Sequence, residues 1–295
     1  MLRSKSNIRY QIILNVIMTI LSLIVLLPFL LLFMSSISSE RSLLVYGYNF
    51  IPHEFSLSAY QYIWKNREII FRCYGNTILV TVVGTITHVL LATMFAYPLS
   101  LPDLPVKNLF NFLLIFTMLF NGGLVPSYIM WTNTFHVKDT LWALILPGHL
   151  MSAMNVILVR TYMRTSIPGA IYEAAKIDGA NYFTIFFKIV LPLSKPILVT
   201  ISVFTGLGYW NDWTNCLYYI SKRQFMNIQG FLNKMIQDIQ TLLQNPDADK
   251  SQIANIPQVS IRMAIAFVAL VPILVIYPFL QKYFASGIAL GAVKG

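Results

Sequence analysis

Charged residues are scarce in this chain. Of its 295 residues, 11% are Asp, Glu, Lys or Arg and 57% are hydrophobic, whereas soluble domains carry about 25% charged residues. So little charge cannot cover a water-facing surface, and the mean hydropathy of +0.66 agrees. A soluble domain is therefore excluded, and lipid is expected to be part of the solvent.

Reactive and metal-binding residues are also few. Cys73 and Cys216 provide no disulfide framework and no metal-ligand spacing, so both are expected to pack as small hydrophobic residues. The histidines, which form no metal-spaced pair, are His53, His88, His136 and His149. No catalytic constellation is apparent. No Gly-x-x-x-x-Gly-Lys-Ser/Thr loop occurs, so the chain is not expected to bind ATP or any other cofactor itself.

Long apolar runs dominate what is present. Six of them reach the roughly 20 residues needed to cross a bilayer. They cover residues 12–34, 78–97, 109–131, 140–159, 189–213 and 263–284. The first is too long for a cleaved signal peptide, whose apolar region has about 7–15 residues. The sequence therefore predicts an all-α, polytopic membrane protein with six transmembrane helices in a single domain, residues 1–295.

The formal charge of +10 indicates a membrane surface. Basic residues lie mainly between and beside the apolar runs, which favours anionic lipid over nucleic acid as the partner. The numbers of Lys and Arg residues on the two sides of the membrane differ too little to decide the orientation of the chain. However, Arg3, Lys5 and Arg9 precede the first apolar run and favour a cytoplasmic N-terminus. Six spans then place both termini in the cytoplasm, loop 160–188 inside and loop 214–262 outside.

Loop 214–262 contains apolar residues at helical spacing from Ile228 to Leu243, which predicts an amphipathic helix on the membrane surface or on a partner.

His88 lies inside the second apolar run. An ionisable residue there is either functional or a neutral histidine hydrogen-bonded between helices.

The cytoplasmic loop has the pattern of a short helix-turn-helix. Ser166 can cap a helix that has Pro168 in its first turn. Gly179 can end that helix in a left-handed conformation, and Asn181 can cap the next one. Ala174 and Ala175 keep one face thin enough to enter a groove on another protein. From the residues alone, an ordinary connector between two spans remains an equal alternative.

The same loop resembles the EAA signature of permeases in ATP-binding-cassette (ABC) importers. Seven specified positions match at fixed spacing, far more than an ordinary short motif provides. The matching positions are Glu173, Ala174, Ala175, Gly179, Ile189, Leu191 and Pro192. The resemblance implies the type I importer permease fold.

The resemblance also implies a mechanical role and a set of partners. The loop would be the coupling helix that docks on a cytoplasmic ATPase. Its coupling residues would be Glu173, Ala174, Ala175, Asp178, Gly179 and Ala180. The complex would contain a second permease, two ATPase subunits that bind ATP and Mg²⁺, and an extracytoplasmic sugar-binding protein, in a bacterial cytoplasmic membrane.

Flanking segments narrow the resemblance to carbohydrate importers. Residues 120–128, 142–148, 188–196 and 287–295 are similar to those of the second permease of the aldouronate and complex-polysaccharide type, although they do not identify the oligosaccharide. In relatives of the maltose permease the C-terminal tail reaches the ATPase. Here the corresponding tail residues are Gly291, Ala292, Val293, Lys294 and Gly295.

Aromatic and amide residues are candidates for the sugar pathway, because they stack on pyranose rings and bond hydroxyl groups. The candidates are Asn121, Tyr128, Asn155, Tyr209, Trp210, Asn211, Asp212 and Trp213. The alternative, an interfacial aromatic belt with polar contacts between helices, is favoured by the residues themselves.

Other transport and enzyme classes fit less well. A stand-alone secondary carrier needs ion-coupling acids within its spans and inverted repeats, and neither is visible. A membrane enzyme needs reactive residues that converge at one depth. The same ABC mechanism with a non-sugar solute stays open.

Overall fold

The computed structural model describes residues 5–65, 67–244 and 258–292, and it confirms the all-α fold class. These residues form helices and turns without a β-strand. They divide into two compact units, which are described separately. The first contains the described residues up to Arg67 and from Lys234 to Ile273, and the second contains Glu68–Asn233 with the described residues from Leu274 onward.

Fifteen α-helices occur in the described ranges. In chain order, the first eight are α1 Lys5–Ser36, α2 Glu40–Tyr46, α3 Ser58–Lys65, α4 Arg67–Ser100, α5 Lys107–Leu119, α6 Leu124–Ile129, α7 Trp142–Ile145 and α8 Ala153–Ser166. The remainder are α9 Gly169–Ile177, α10 Tyr182–Ile185, α11 Leu191–Leu193, α12 Lys195–Asn211, α13 Thr214–Tyr219, α14 Ile228–Gln244 and α15 Gln258–Ala292. Two π-helical turns are Met130–Thr134 and Phe186–Val190.

Two helices are long and apolar enough to cross a bilayer by themselves. They are Tyr10–Ser36 and Arg67–Ser100, with mean hydropathies of 2.9 and 2.1. The most apolar stretch of the first has no buried residue within the protein, so lipid or another chain must cover it. Two bent helix pairs raise the number of candidate spans among the described residues to four, and Val259–Val275 is a shorter apolar helix.

The third, fourth and fifth predicted spans are not single helices. Within 109–131, α5 and α6 are bent by 109° around Gly123, whose φ is 86°. Within 140–159, residues 146–152 separate α7 from α8, and Gly148 has φ 73°. Within 189–213, the chain bends by 76° near Ser194. Hydropathy measures the length of an apolar run and contains no information on backbone conformation. It therefore does not detect the left-handed glycines and the prolines that interrupt helices.

In the first unit, the carboxylate of Glu40 caps the start of α15. It accepts hydrogen bonds from the Val259 N–H at 2.9 Å, from the Ser260 N–H at 2.9 Å and from the Ser260 hydroxyl at 2.9 Å. Helix starts have unpaired N–H groups and a positive dipole end, so a carboxylate there satisfies both. Phe33 packs on Phe267 with ring centroids 4.9 Å apart.

The second unit has its core among α4, α5, α8, α12 and the 167–190 segment. Ala92, Ala96, Val156, Val159 and Ile201 are fully buried there. Small and β-branched side chains at these positions allow helix backbones to approach closely. Ala175, Ile185 and Phe186 belong to the same cluster, so loop 160–188 is packed onto α4, α8 and α12.

The amphipathic helix predicted in loop 214–262 is confirmed as α14, which runs from Ile228 to Gln244. Ile228, at its start, is completely buried, and its N–H donates to the Thr77 hydroxyl at 2.9 Å. Cys73 and Cys216 are both buried, in agreement with their predicted role as small hydrophobic residues.

Candidate functional site

Helix α9 carries most of the EAA-like residues. Its N-cap residue is Pro168, and no side chain caps it. Ser166 is the last residue of α8, so the prediction that Ser166 caps the loop helix is wrong. The reason is that α8 continues further than expected and leaves only Ile167 and Pro168 as the turn. Ile167 is 4% exposed and anchors that turn in the core.

The end of α9 follows the prediction. Gly179 has φ 73°, its N–H donates to the Lys176 carbonyl at 3.0 Å, and the Ala180 N–H donates to the Ala175 carbonyl at 2.9 Å. These two bonds form a Schellman motif, which requires a left-handed residue at the glycine position. The Asn181 Oδ1 accepts from the Thr184 N–H at 2.8 Å and so caps α10, also as predicted.

The two alanines of α9 differ in exposure. Ala175 is buried against the chain's own core, whereas Ala174 is exposed together with Glu173 and Asp178. The predicted thin alanine face is therefore wrong in part, because one alanine lets α9 pack closely on its own unit. The outward face also contains Ile177, which is 86% exposed and which the sequence did not single out.

A groove of about 580 Å³ lies beside α9. The end of α4 and the following prolines form one wall, and α9 and α10 form the other. Lys176 and Asp103 at its rim lie 3.9 Å apart; both are exposed, so this ion pair adds little stability. Tyr172 also lines the groove, and burial raises the pKa of its hydroxyl.

A second group of polar residues supports segment 145–149, which runs from the last residue of α7 into the irregular stretch before α8. Three side chains donate to its backbone carbonyl groups: the Tyr209 hydroxyl to Ile145 at 2.9 Å, the Asn215 amide to Pro147 at 2.9 Å and the His88 Nδ1 to His149 at 2.6 Å. Irregular backbone at membrane depth persists only where protein or water satisfies such groups. These donors come from α4, α12 and α13.

His88 completes an interhelical chain of hydrogen bonds. Asn155 Nδ2 donates to His88 Nε2 at 2.8 Å and lies 3.3 Å from the Thr205 hydroxyl. The His149 carbonyl only accepts, so Nδ1 has a proton, and Nε2 accepts from the Asn155 amide, so it has none and His88 is neutral. This is the arrangement expected of a neutral histidine hydrogen-bonded between helices.

Asp212 holds the turn between α12 and α13. Its Oδ1 accepts from the Thr214 N–H at 3.0 Å and from the Asn215 N–H at 3.1 Å. Its Oδ2 is buried, 3.7 Å from His149 Nε2. The Asn227 amide donates to the Asp212 backbone carbonyl. Asp212 therefore organises the start of the predicted outer loop.

The predicted sugar-pathway residues do not form one lining. Tyr209, Asp212 and Asn155 belong to the polar cluster described above. Trp210 is buried, Asn211 is exposed and Trp213 is 44% exposed. Asn121 lies at the break between α5 and α6, where its Oδ1 accepts from the Gly123 N–H at 2.8 Å and turns the chain, and Tyr128 lies in α6. Internal contacts thus occupy several of the candidates, as the favoured alternative of polar contacts between helices predicts.

We expect His88→Leu to lower the stability of the folded chain by about 1–2 kcal/mol, because it leaves the His149 carbonyl and the Asn155 amide without their partner. Thermal unfolding in detergent measures the effect. Thr87→Val is the matched control, since the exposed Thr87 hydroxyl bonds only to Val83 of its own helix. Equal unfolding temperatures for the two variants would show that the histidine contributes nothing.

Similarity to known proteins agrees with this architecture. The chain matches the family model described as "binding-protein-dependent transport system inner membrane component" over residues 4–290. It is 37% identical to the polygalacturonan/rhamnogalacturonan transport system permease protein YtcP of Bacillus subtilis, over 93% of this chain and 94% of that protein. It is 28% identical to the melibiose/raffinose/stachyose import permease protein MelC of the same organism, over 91% of each.

A solved structure extends the likeness to three dimensions. It is the crystal structure of a bacterial ABC transporter involved in the import of the acidic polysaccharide alginate, with a TM-score of 0.79 and 30% sequence identity. The match covers 96% of this chain and 99% of that chain. This chain therefore belongs to the binding-protein-dependent transport system inner membrane component family and is the membrane permease component of an ABC sugar importer.

Proposed function

We propose that this chain couples a cytoplasmic ATPase to the membrane helices through α9. The observation that carries the proposal is the two-sided character of α9. Its inner face, through Ala175, is packed into the core of the second unit, while Glu173, Ala174 and Ile177 are exposed on the outer face. A helix that is packed on the core by one face and exposed on the other can transmit a displacement from a bound partner to the membrane helices.

The packing supports a specific path by which a displacement of α9 reaches the membrane helices. Ala175, Ile185 and Phe186 share one buried cluster with residues of α4, α8 and α12. Packed interiors resist compression, so a displaced α9 moves these helices with it. Closure of the ATPase dimer then favours one of two arrangements of the pathway, which is a shift between existing states driven by differential affinity.

The remaining parts of the proposal concern the partners. A second permease completes the pathway, two ATPase subunits bind ATP and Mg²⁺, and a sugar-binding protein delivers the oligosaccharide from outside. Both termini lie in the cytoplasm. The C-terminal tail contacts the ATPase; Gly291 and Ala292 end α15, and Val293–Gly295 lie outside the described residues.

The cargo class follows from the relatives. The names of two similar permeases include polygalacturonan and rhamnogalacturonan in one case, and melibiose, raffinose and stachyose in the other. These names cover acidic and neutral sugars, so they support an oligosaccharide and leave its charge undecided.

Reconstitution tests the proposal. This chain, a second permease, the ATPase and the sugar-binding protein are placed in liposomes, and sugar-stimulated ATP hydrolysis is measured with each component omitted in turn. We expect stimulation to require all four. Transport by this chain alone under an ion gradient would instead identify a secondary carrier.

A further inference from the structure

An exposed basic cluster lies where two loops of the second unit meet. The Asp139 N–H donates to the Tyr219 carbonyl at 3.0 Å, and the Asp139 Oδ1 accepts from the N–H groups of Ser221 at 2.6 Å and Lys222 at 2.9 Å. These three bonds clamp the loop that follows the broken α5–α6 pair onto the start of loop 214–262. Both segments lie outside the membrane in the predicted orientation.

The clamp positions Lys138 over an aromatic pair. Its ammonium lies 3.3 Å from the Tyr128 hydroxyl and 5.9 Å from the centroid of that ring. Tyr128 stacks on Tyr219, with centroids 5.7 Å apart and planes inclined by 16°. Tyr219 is 3% exposed and forms the floor of the pair, whereas Lys138 is exposed. An ammonium and a phenol hydroxyl thus stand side by side.

Backbone strain marks the same loop. His136 has φ 52° and Asp139 has φ 56°, and they are the described non-glycine residues in the left-handed region. Each such conformation costs of order 1 kcal/mol and persists only where surrounding contacts impose it. Buried Val137 and exposed Lys138 lie between them. Surrounding contacts therefore define the backbone on both sides of Lys138.

The cluster has an excess of positive charge. Lys138, Lys222 and Arg223 are exposed, and in the described ranges none of them lies within 4 Å of a carboxylate oxygen. Burial alone would raise the pKa of Asp139, but the two N–H hydrogen bonds and the nearby ammonium groups hold it below its usual range. Asp139 therefore stays ionised, and the cluster has three cations against one carboxylate that is already hydrogen-bonded.

We propose that Lys138, Lys222 and the Tyr128 hydroxyl form a recognition site for a carboxylated sugar unit of the incoming oligosaccharide. The ammonium groups pair with the uronate carboxylate, and the tyrosine hydroxyl bonds a neighbouring sugar hydroxyl. A charged hydrogen bond of this kind distinguishes an acid from its neutral ester. The proposal rests on the oligosaccharide-import function given above and adds the charge of the cargo.

The test uses the complete permease–ATPase complex in lipid nanodiscs, titrated with trigalacturonic acid and, in parallel, with its methyl ester. We expect the wild-type complex to bind the acid about tenfold more tightly than the ester. The double variant Lys138→Gln, Lys222→Gln should remove that difference. Lys138→Arg, which keeps the charge, should preserve most of it.

Each outcome decides between clear alternatives. Equal binding of acid and ester by the wild type, or an unchanged preference in the double variant, overturns the proposal. Weaker docking of the sugar-binding protein with an unchanged acid–ester ratio would assign the cluster to protein contact and also overturn it. If no sugar-loaded binding protein stimulates ATP hydrolysis in the same preparation, the failure lies with the proposed import function instead.

Discussion

Replacing Gly179 by proline should abolish sugar-stimulated ATP hydrolysis in the reconstituted complex. Proline fixes φ near −65°, whereas Gly179 has φ 73°, and it removes the N–H that donates to the Lys176 carbonyl. The Schellman end of α9 cannot form, so the exposed face of α9 loses its orientation. Copurification of the ATPase and sugar-stimulated hydrolysis are the two measurements.

A graded series separates backbone strain from steric effects at this position. No atom lies within 4 Å of a Cβ added at Gly179, so Gly179→Ala introduces only left-handed strain, of about 1–2 kcal/mol. Gly179→Asn should cost less, since asparagine tolerates that region. Gly169→Ala is the matched control in the same helix, because Gly169 has equal space and no positive φ. Normal coupling in Gly179→Pro would exclude α9 as the coupling element.

Replacing Gly84 by alanine should destabilise the second unit by about 3 kcal/mol or more, the upper end of the usual cost of overpacking. A Cβ at Gly84 would lie 2.5 Å from Cζ and 2.6 Å from Cε2 of the Tyr209 ring. Tyr209 is completely buried and its hydroxyl is bound to the Ile145 carbonyl, so the ring has no room to retreat. Thermal unfolding in detergent and the yield of assembled complex measure the effect.

A double-mutant cycle tests the cause of that loss. In a Tyr209→Ala background the ring is gone, so adding Gly84→Ala should cost much less than it does in the wild type. Gly75→Ala, on the same helix and with no atom within 4 Å of its added Cβ, should be neutral or slightly stabilising. An equal cost of Gly84→Ala in both backgrounds would mean that the Tyr209 ring is not the obstacle.

The loop 166–181 shows how far local sequence rules reach. Gly179 and Asn181 have their predicted roles because a left-handed C-terminal glycine and an asparagine N-cap depend on neighbouring residues alone. Ser166 is not the N-cap that the sequence predicts, because it forms the last residue of α8 instead. Ala174 and Ala175 are equivalent by composition, and only packing on the core distinguishes them.

The spans show a similar division. The length of the apolar runs identified the chain as a membrane protein. It also located the second predicted span, which lies within the uninterrupted helix α4. It missed the breaks at Gly123 and Gly148, because those depend on backbone φ and on distant side chains that satisfy the freed carbonyl groups. Tyr209 and His88 supply such bonds across more than 60 positions of sequence, a distance over which no local pattern exists.

The sequence by itself determined the lipid solvent, the helical class and the loop motif, since each depends on composition or on fixed short spacing. Tertiary structure alone decided which face of α9 is free, which carbonyl groups the polar residues satisfy, that Lys138 lies beside Tyr128 and that Asp139 binds the Lys222 N–H. The physical reason is that hydrophobic burial acts through summed area and tolerates many arrangements. Hydrogen bonds and charge pairs act over a few ångströms, so their partners are defined only when the chain is folded.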